Sequence, residues 1–175
     1  MDPFDLLHPS VQHHIVSSLR WSSLRPFQEE VIPRVLEGEH LLVIAPTAGG
    51  KTEAAILPIL SRMLAEDWRG LSTVYICPIR ALLNNLHERL SRYALLLGRR
   101  CELWHGDIGA GNRKRILADP PDILLTTPES LEVMLVSVGI DHKGLLGQVK
   151  VAVVDELHAF AGDDRGWHLL GVLER

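Results

Sequence analysis

The sequence predicts an α/β domain in which a parallel sheet is flanked by helices. Three observations carry that prediction. Apolar β-type runs alternate with amphipathic helical stretches, the pattern of β-α-β units. An early apolar run, Leu41-Leu42-Val43-Ile44, leads into the glycine-containing loop APTAGGKT and then a helical stretch. A late apolar run, VKVAVV, ends in the acidic pair Asp155-Glu156. In such sheets ligands bind beyond the carboxyl ends of the strands, where both features fall.

The loop is the most informative stretch. Residues 45–52 fit the phosphate-binding pattern, with Ala45 in the first glycine slot and Gly50-Lys51-Thr52 closing it. Small residues at Ala48, Gly49 and Gly50 allow backbone N–H groups to wrap a polyphosphate, with Thr47 completing the turn. The following helix points its positive end at the same anion. Lys51 supplies a mobile charge for the β- and γ-phosphates, and Thr52 a hydroxyl for Mg²⁺. The expected ligands are therefore ATP and Mg²⁺.

Ahead of the loop, residues 1–9 read as irregular, with Pro3 and Pro9 as breakers. Ser10 is placed to cap a helix running to about Leu19. A division into a helical extension, 1–20, and a nucleotide-binding domain, 21–175, follows. Adjacent His13 and His14 read as surface residues, since neighbours on a helix face different ways. The stretch from Trp21 to Gly38 is a helix with Pro26 at its first turn. Within it, the Gln28 amide has donor and acceptor groups suited to an adenine edge. Alone, that residue reads as a surface position.

After the loop, a helix extends to about Ala65, and Leu71–Cys77 is a second strand ended by Pro78. Residues 80–97 form a long amphipathic helix. A short strand, CELWH at 101–105, precedes the loop GDIGAGN. Arg113-Lys114-Arg115 is either a contact for a phosphate backbone or a solvated helix face. PDILLT at 121–126 is another strand, and Thr126-Thr127-Pro128-Glu129-Ser130 opens a helix. Its two hydroxyls and free N–H groups suit a phosphate, and Thr127 before Pro128 also suits a simple helix cap. Residues 139–147 read as a loop with room for a helical turn. Val149–Val154 reads as a central, buried strand. Acids at its end are costly unless a cation is present, which Mg²⁺ would supply. Residues 159–166 read as a loop and 167–175 as a helix.

Bulk properties set limits. The 175 residues suit one domain, and 46% hydrophobic with 23% charged residues is ordinary globular composition. A net charge of −4 gives no overall basic signature for nucleic acid, so any such contact is local or lies outside this chain. Cys77 and Cys101 lie in apolar contexts and suggest reduced core thiols in a cytoplasmic protein. No apolar run approaches membrane-spanning length, and the first residues carry no signal-peptide pattern.

Together these stretches resemble the first RecA-like domain of a superfamily 2 helicase of the DExH kind, a P-loop NTPase fold. Gln28 matches the glutamine motif, APTAGGKT motif I, PIRALLNNL motif Ia, TTPES motif Ib and DELH motif II. Within the superfamily, the stretch from Val153 onward, HGD at 105–107 and TEAAILPIL resemble the Lhr-type DNA helicases, with Ski2-like helicases a near second. The resemblance implies that Gln28 reads adenine, that Lys51 and Thr52 hold phosphate and Mg²⁺, and that Asp155 organises the metal. It implies that Glu156 activates water and that His158 couples the site to a partner domain. Arg80, Thr126 and Thr127 would face the nucleic-acid backbone, DNA in preference to RNA, in work such as DNA repair. Ala48-Gly49 departs from the usual Gly-Ser of motif I. The Ser-Ala-Thr of motif III and the second RecA-like domain do not occur within these residues. The chain is thus expected to be incomplete at its C-terminal end, a fragment with little hydrolysis alone. The alternative is a non-motor nucleotide-binding regulatory module or an inactive truncated helicase.

Overall fold

A computed structural model describes residues 2–46, 49–162 and 164–175. Two compact units divide at Trp68 and Arg69.

The first unit is helical: α1 (Pro9–Ser17), α2 (Pro26–Leu36) and α3 (Lys51–Ala65). Pro9, expected to break the chain, is instead in the first turn of α1, where its missing N–H costs nothing. His8 rather than Ser10 is the cap, its ring accepting from the Ser10 N–H. Pro26 starts α2 as expected, and Gly38 follows its end at φ +82°, a left-handed conformation that favours glycine. Helices α2 and α3 pack together, and Ile32, Ala54, Ile56 and Leu60 are fully buried. Residues 41–46 form no strand, against expectation, and Leu42 and Ile44 are 69% and 88% exposed.

The second unit contains β1 (Thr73–Ile76), α4 (Arg80–Leu96), β2 (Cys101–Trp104), α5 (Ala110–Ala118), β3 (Ile123–Thr126), α6 (Pro128–Val136), α7 (His142–Leu146), β4 (Val151–Val154) and α8 (Asp164–Leu173). The four strands form a parallel sheet in the order β2-β3-β1-β4, flanked by helices. Each residue of β1 and β3 is buried, as continuous apolar runs inside a covered parallel sheet should be. The apolar run at 149–154 was expected in the centre but forms the edge strand β4, with Ala152 exposed. One ladder is enough to hold it, because its pairing with β1 satisfies one side of its backbone. Helix α7 is the helical turn for which the 139–147 loop left room, and α8 begins earlier than expected, at Asp164. Leu124, Ile76, Trp104, Met134, Phe160 and Leu169 form the centre of the core.

Register then positions the functional turns. Ile76 pairs with Thr126 and with Val154, and Thr126 pairs with Trp104. The four strands therefore end level. His105, Thr127, Cys77 and Asp155 stand next in line on one edge.

Candidate functional site

The glycine loop and Gln28 meet inside the first unit. Gly50 has φ +90°, and a Cβ there would lie 2.7 Å from Gln28 Nε2, so only glycine fits. Gln28 itself is buried, 1% exposed, and not the surface position that the residue taken alone suggests. Its Nε2 donates to the Gly50 carbonyl at 3.1 Å, and its Oε1 accepts from the Arg25 N–H at 2.9 Å. The amide thus ties the start of α2 to the start of α3. Gly49 is equally confined, since a Cβ would come within 2.8 Å of the Pro46 carbonyl. Helix α3 begins at Lys51, so the first-turn N–H groups of Lys51, Thr52 and Glu53 lie at its positive end. Lys51 Nζ folds back over the loop and donates to the Ala45 carbonyl at 2.8 Å. Thr47 and Ala48 lie outside the described residues.

The acidic pair lies at the carboxyl edge of the second unit. Asp155 N–H continues the ladder to the Ile76 carbonyl at 2.9 Å. Its carboxylate accepts from the Tyr75 hydroxyl at 3.1 Å and from the Glu156 N–H at 2.9 Å. Each oxygen spends one lone pair, and a carboxylate has about four to offer. The remaining acceptor capacity is of the hard-oxygen kind that Mg²⁺ takes. Glu156 has φ +49°, an uncommon backbone state for a non-glycine residue and one concentrated at functional sites. His158 Nδ1 is 3.3 Å from Glu156 Oε2, with the histidine side chain 81% exposed. The local negative potential is visible in Cys77. Burial first, and then Asp155 and Glu156, push its thiol up to about 12.

Arg80, at the start of α4, donates from Nη1 to both carboxylate oxygens of Asp107, at 2.8 and 2.7 Å. Both side chains are exposed. His105 is buried, which lowers its pKa despite Asp107 beside it, and its Nδ1 accepts from the Asp107 N–H at 3.2 Å. The basic cluster is mostly engaged within the fold. Arg115 forks onto Glu102 at 2.7 and 2.9 Å, and Arg113 donates to the Gly106 carbonyl while lying over Trp104. Thr126 is fully buried and donates to the Trp104 carbonyl at 2.8 Å. Thr127 caps α6 by accepting from the Ser130 N–H. The two threonines therefore shape the turn, while Arg80 stands on its surface.

Gln28, Gly49, Gly50, Lys51 and Thr52 thus come together in the first unit. Arg80, Thr126, Thr127, Asp155, Glu156 and His158 share the sheet edge of the second. Tyr75 went unnoticed in the sequence, and Asp107 entered only as part of the HGD stretch, with no role of its own. Each touches a residue of the site through contacts made only in the fold, 80 and 27 residues apart.

Residues 25–175 match the DEAD/DEAH box helicase family. The chain is 35% identical over 165 residues to an Lhr helicase and probable uracil glycosylase of Mycolicibacterium smegmatis, covering 86% of this chain and 11% of that protein. It is 36% identical over 168 residues to the ATP-dependent helicase Lhr-Core of Sulfolobus acidocaldarius, covering 89% of this chain and 19% of the relative. Among solved structures it is similar to the Mycobacterium smegmatis helicase Lhr bound to ssDNA and AMP-PNP, with a TM-score of 0.85 and 32% identity, over 99% of this chain and 23% of that one. The chain therefore spans a small part of the length of these relatives.

Proposed function

Because this chain belongs to the DEAD/DEAH box helicase family and has the fold of a first RecA-like domain, we propose that it is the ATP-binding half of an ATP-dependent helicase or translocase that acts on DNA in preference to RNA. The observation that supports the reading is the Gln28 hydrogen bond to Gly50, which ties the residue proposed to read adenine to the end of the loop proposed to hold phosphate.

In this reading the backbone N–H groups of residues 49–53 hold the β- and γ-phosphates. Lys51 leaves the neutral Ala45 carbonyl to take an anionic phosphate oxygen, which adds the attraction of opposite charges. Gln28 adds selection for adenine, because its amide is already oriented by Arg25 and Gly50. Thr52 and Asp155 would hold Mg²⁺, which neutralises charge on the phosphates when bound. Glu156 is the base that orients and accepts a proton from the attacking water. Tyr75 fixes the Asp155 carboxylate through its hydroxyl. Arg80 takes DNA phosphate in exchange for Asp107, one charge-assisted contact replacing another. His158, exposed beside Glu156, faces a second RecA-like domain. That domain supplies the arginine fingers that in related phosphoryl transfers are worth ~10³–10⁵ in rate, so this chain alone turns over ATP very slowly.

The test is a titration of the chain with a fluorescent ATP analogue in Mg²⁺, beside Lys51→Ala. Loss of one charge-assisted contact predicts a fall in affinity of about 10- to 100-fold. Equal binding by the variant, or no binding by a chain that melts cooperatively, sinks the assignment of this loop as the nucleotide site of the isolated chain.

A further inference from the structure

One arginine beyond the acidic pair joins more of the sheet edge than any role above requires. Arg165 lies in the first turn of α8. Its Nε and Nη2 donate to Glu129 Oε1 at 3.0 and 2.8 Å, and Nη2 also donates to the Pro78 carbonyl at 2.8 Å. Its guanidinium carbon lies 5.5 Å from the centre of the Phe160 ring. These partners come from three different turns. Pro78 precedes Arg80. Glu129 is in the first turn of α6, which Thr127 caps. Phe160 ends the short turn that follows Asp155 and Glu156.

The surroundings make this contact specific. One helical step further along, His168 Nε2 lies 2.8 Å from Glu132 Oε2. Residues 165 and 168 of α8 thus meet residues 129 and 132 of α6 in parallel, with the same spacing on both helices. Gly166 holds the arginine close to the acidic segment, because a Cβ there would collide with the Phe160 carbonyl oxygen. A planar guanidinium with several fixed donors can hold a carboxylate and a carbonyl together while stacking on a ring. A lysine ammonium cannot reproduce all three contacts. The pair is partly exposed, with side-chain exposures of 38% for Arg165 and 52% for Glu129, so it adds little to overall stability.

We propose that Arg165 is a positioning residue that couples the acidic pair to the turns before Arg80 and at Thr127, so that nucleotide and single-stranded DNA each change the affinity for the other through it. This rests on the nucleotide and DNA roles proposed above. Coupling of this kind is a ratio of affinities and is the same in both directions.

The experiment uses the 175-residue chain. The affinity for a fluorescent ATP analogue in Mg²⁺ is measured with and without saturating oligo(dT), and anisotropy gives oligo(dT) affinity. The wild-type chain is expected to show a coupling factor within the ordinary range of about 5- to 150-fold. Arg165→Ala brings the factor to within about twofold of one while nucleotide affinity without DNA and the melting midpoint hold, and Arg165→Lys recovers only part of it. Glu129→Gln follows Arg165→Ala. A wild-type factor of one overturns the proposal, as does an unchanged factor in Arg165→Ala. Parallel loss of nucleotide affinity, coupling and melting midpoint shows a merely structural role. Tighter oligo(dT) binding by Glu129→Gln shows that Arg165 itself touches the phosphates, which also overturns it. A wild-type chain that binds no nucleotide defeats the proposed function instead. Amide exchange on the ligand-free chain then tests the clamp by itself. Arg165→Ala should speed exchange at 79–81 and 130–132 and leave β1 and β3 protected, and unchanged exchange at those turns rejects the clamp.

Discussion

Residues 41–46 and 73–78 are both apolar runs ending in a proline-containing turn, and they end up in opposite environments. The second forms β1, buried along its length between β3 and β4, with each backbone group in a ladder. The first has no ladder, and Ile44 is 88% exposed. Their side chains are equally suited to a strand. The difference is whether another strand supplies hydrogen bonds, and that supply is non-local. Edge strand β4 falls between the two cases, with a partner on one side and intermediate burial.

The comparison can be broken most directly by paired truncations. Ile76→Ala removes a fully buried side chain and should cost about 2–5 kcal/mol, whereas Ile44→Ala should stay within about 0.5 kcal/mol. Urea denaturation of both variants measures this, and a similar loss at both positions would mean that residues 41–46 are packed in solution. Next in size is Gln28→Ala, which removes the side-chain bonds to the Arg25 N–H and to the Gly50 carbonyl, the latter keeping the Ala54 N–H, and should cost about 1–3 kcal/mol. A melt showing no change would mean that the loop of the first unit is held by other contacts.

A smaller effect comes from acid. Burial raises the Glu129 pKa, but its own N–H, the Thr127 hydroxyl and Arg165 outweigh burial and leave it below the usual value. A carboxyl lowered in the folded state adds stability that is present above the unfolded value, about 4.3, and is lost as pH falls through the folded one. Melting midpoints between pH 5 and pH 3 should therefore drop less for Glu129→Gln than for the natural chain (a range set by that unfolded value). Equal slopes would remove Glu129 from the acid response. Smallest is Asp107→Asn, which should change stability by no more than about 1 kcal/mol because the Arg80 pair is exposed. Thermal denaturation checks this, and a larger loss would show that the turn after β2 depends on the ion pair.

Elements decided by local pattern were legible in the sequence. Helix α4, strands β1 to β3, the Pro26 start of α2 and the glycine loop all follow from periodicity, capping and small-residue placement. What escaped was set by long-range pairing. No local signal distinguishes the run at 41–46 from that at 73–76, or makes 149–154 an edge. Gln28 looked like a surface residue because its partner, the Gly50 carbonyl, is 22 residues away. Arg165 sat in a stretch read as loop, and its contact with Pro78 spans 87 residues. The types of site residue were visible, and the contacts that hold them in place were not.

The left-handed backbone at Glu156 sets function against robustness. A non-glycine residue in that state carries a strain of about 1–3 kcal/mol, which glycine avoids and asparagine reduces. Glu156→Gly should therefore raise the melting midpoint of the chain while removing the proposed general base, and a lower midpoint would show that the glutamate side chain stabilises the fold. A laboratory selection for heat resistance alone would then be drawn toward discarding this acid, and only a selection that also demands turnover would retain it.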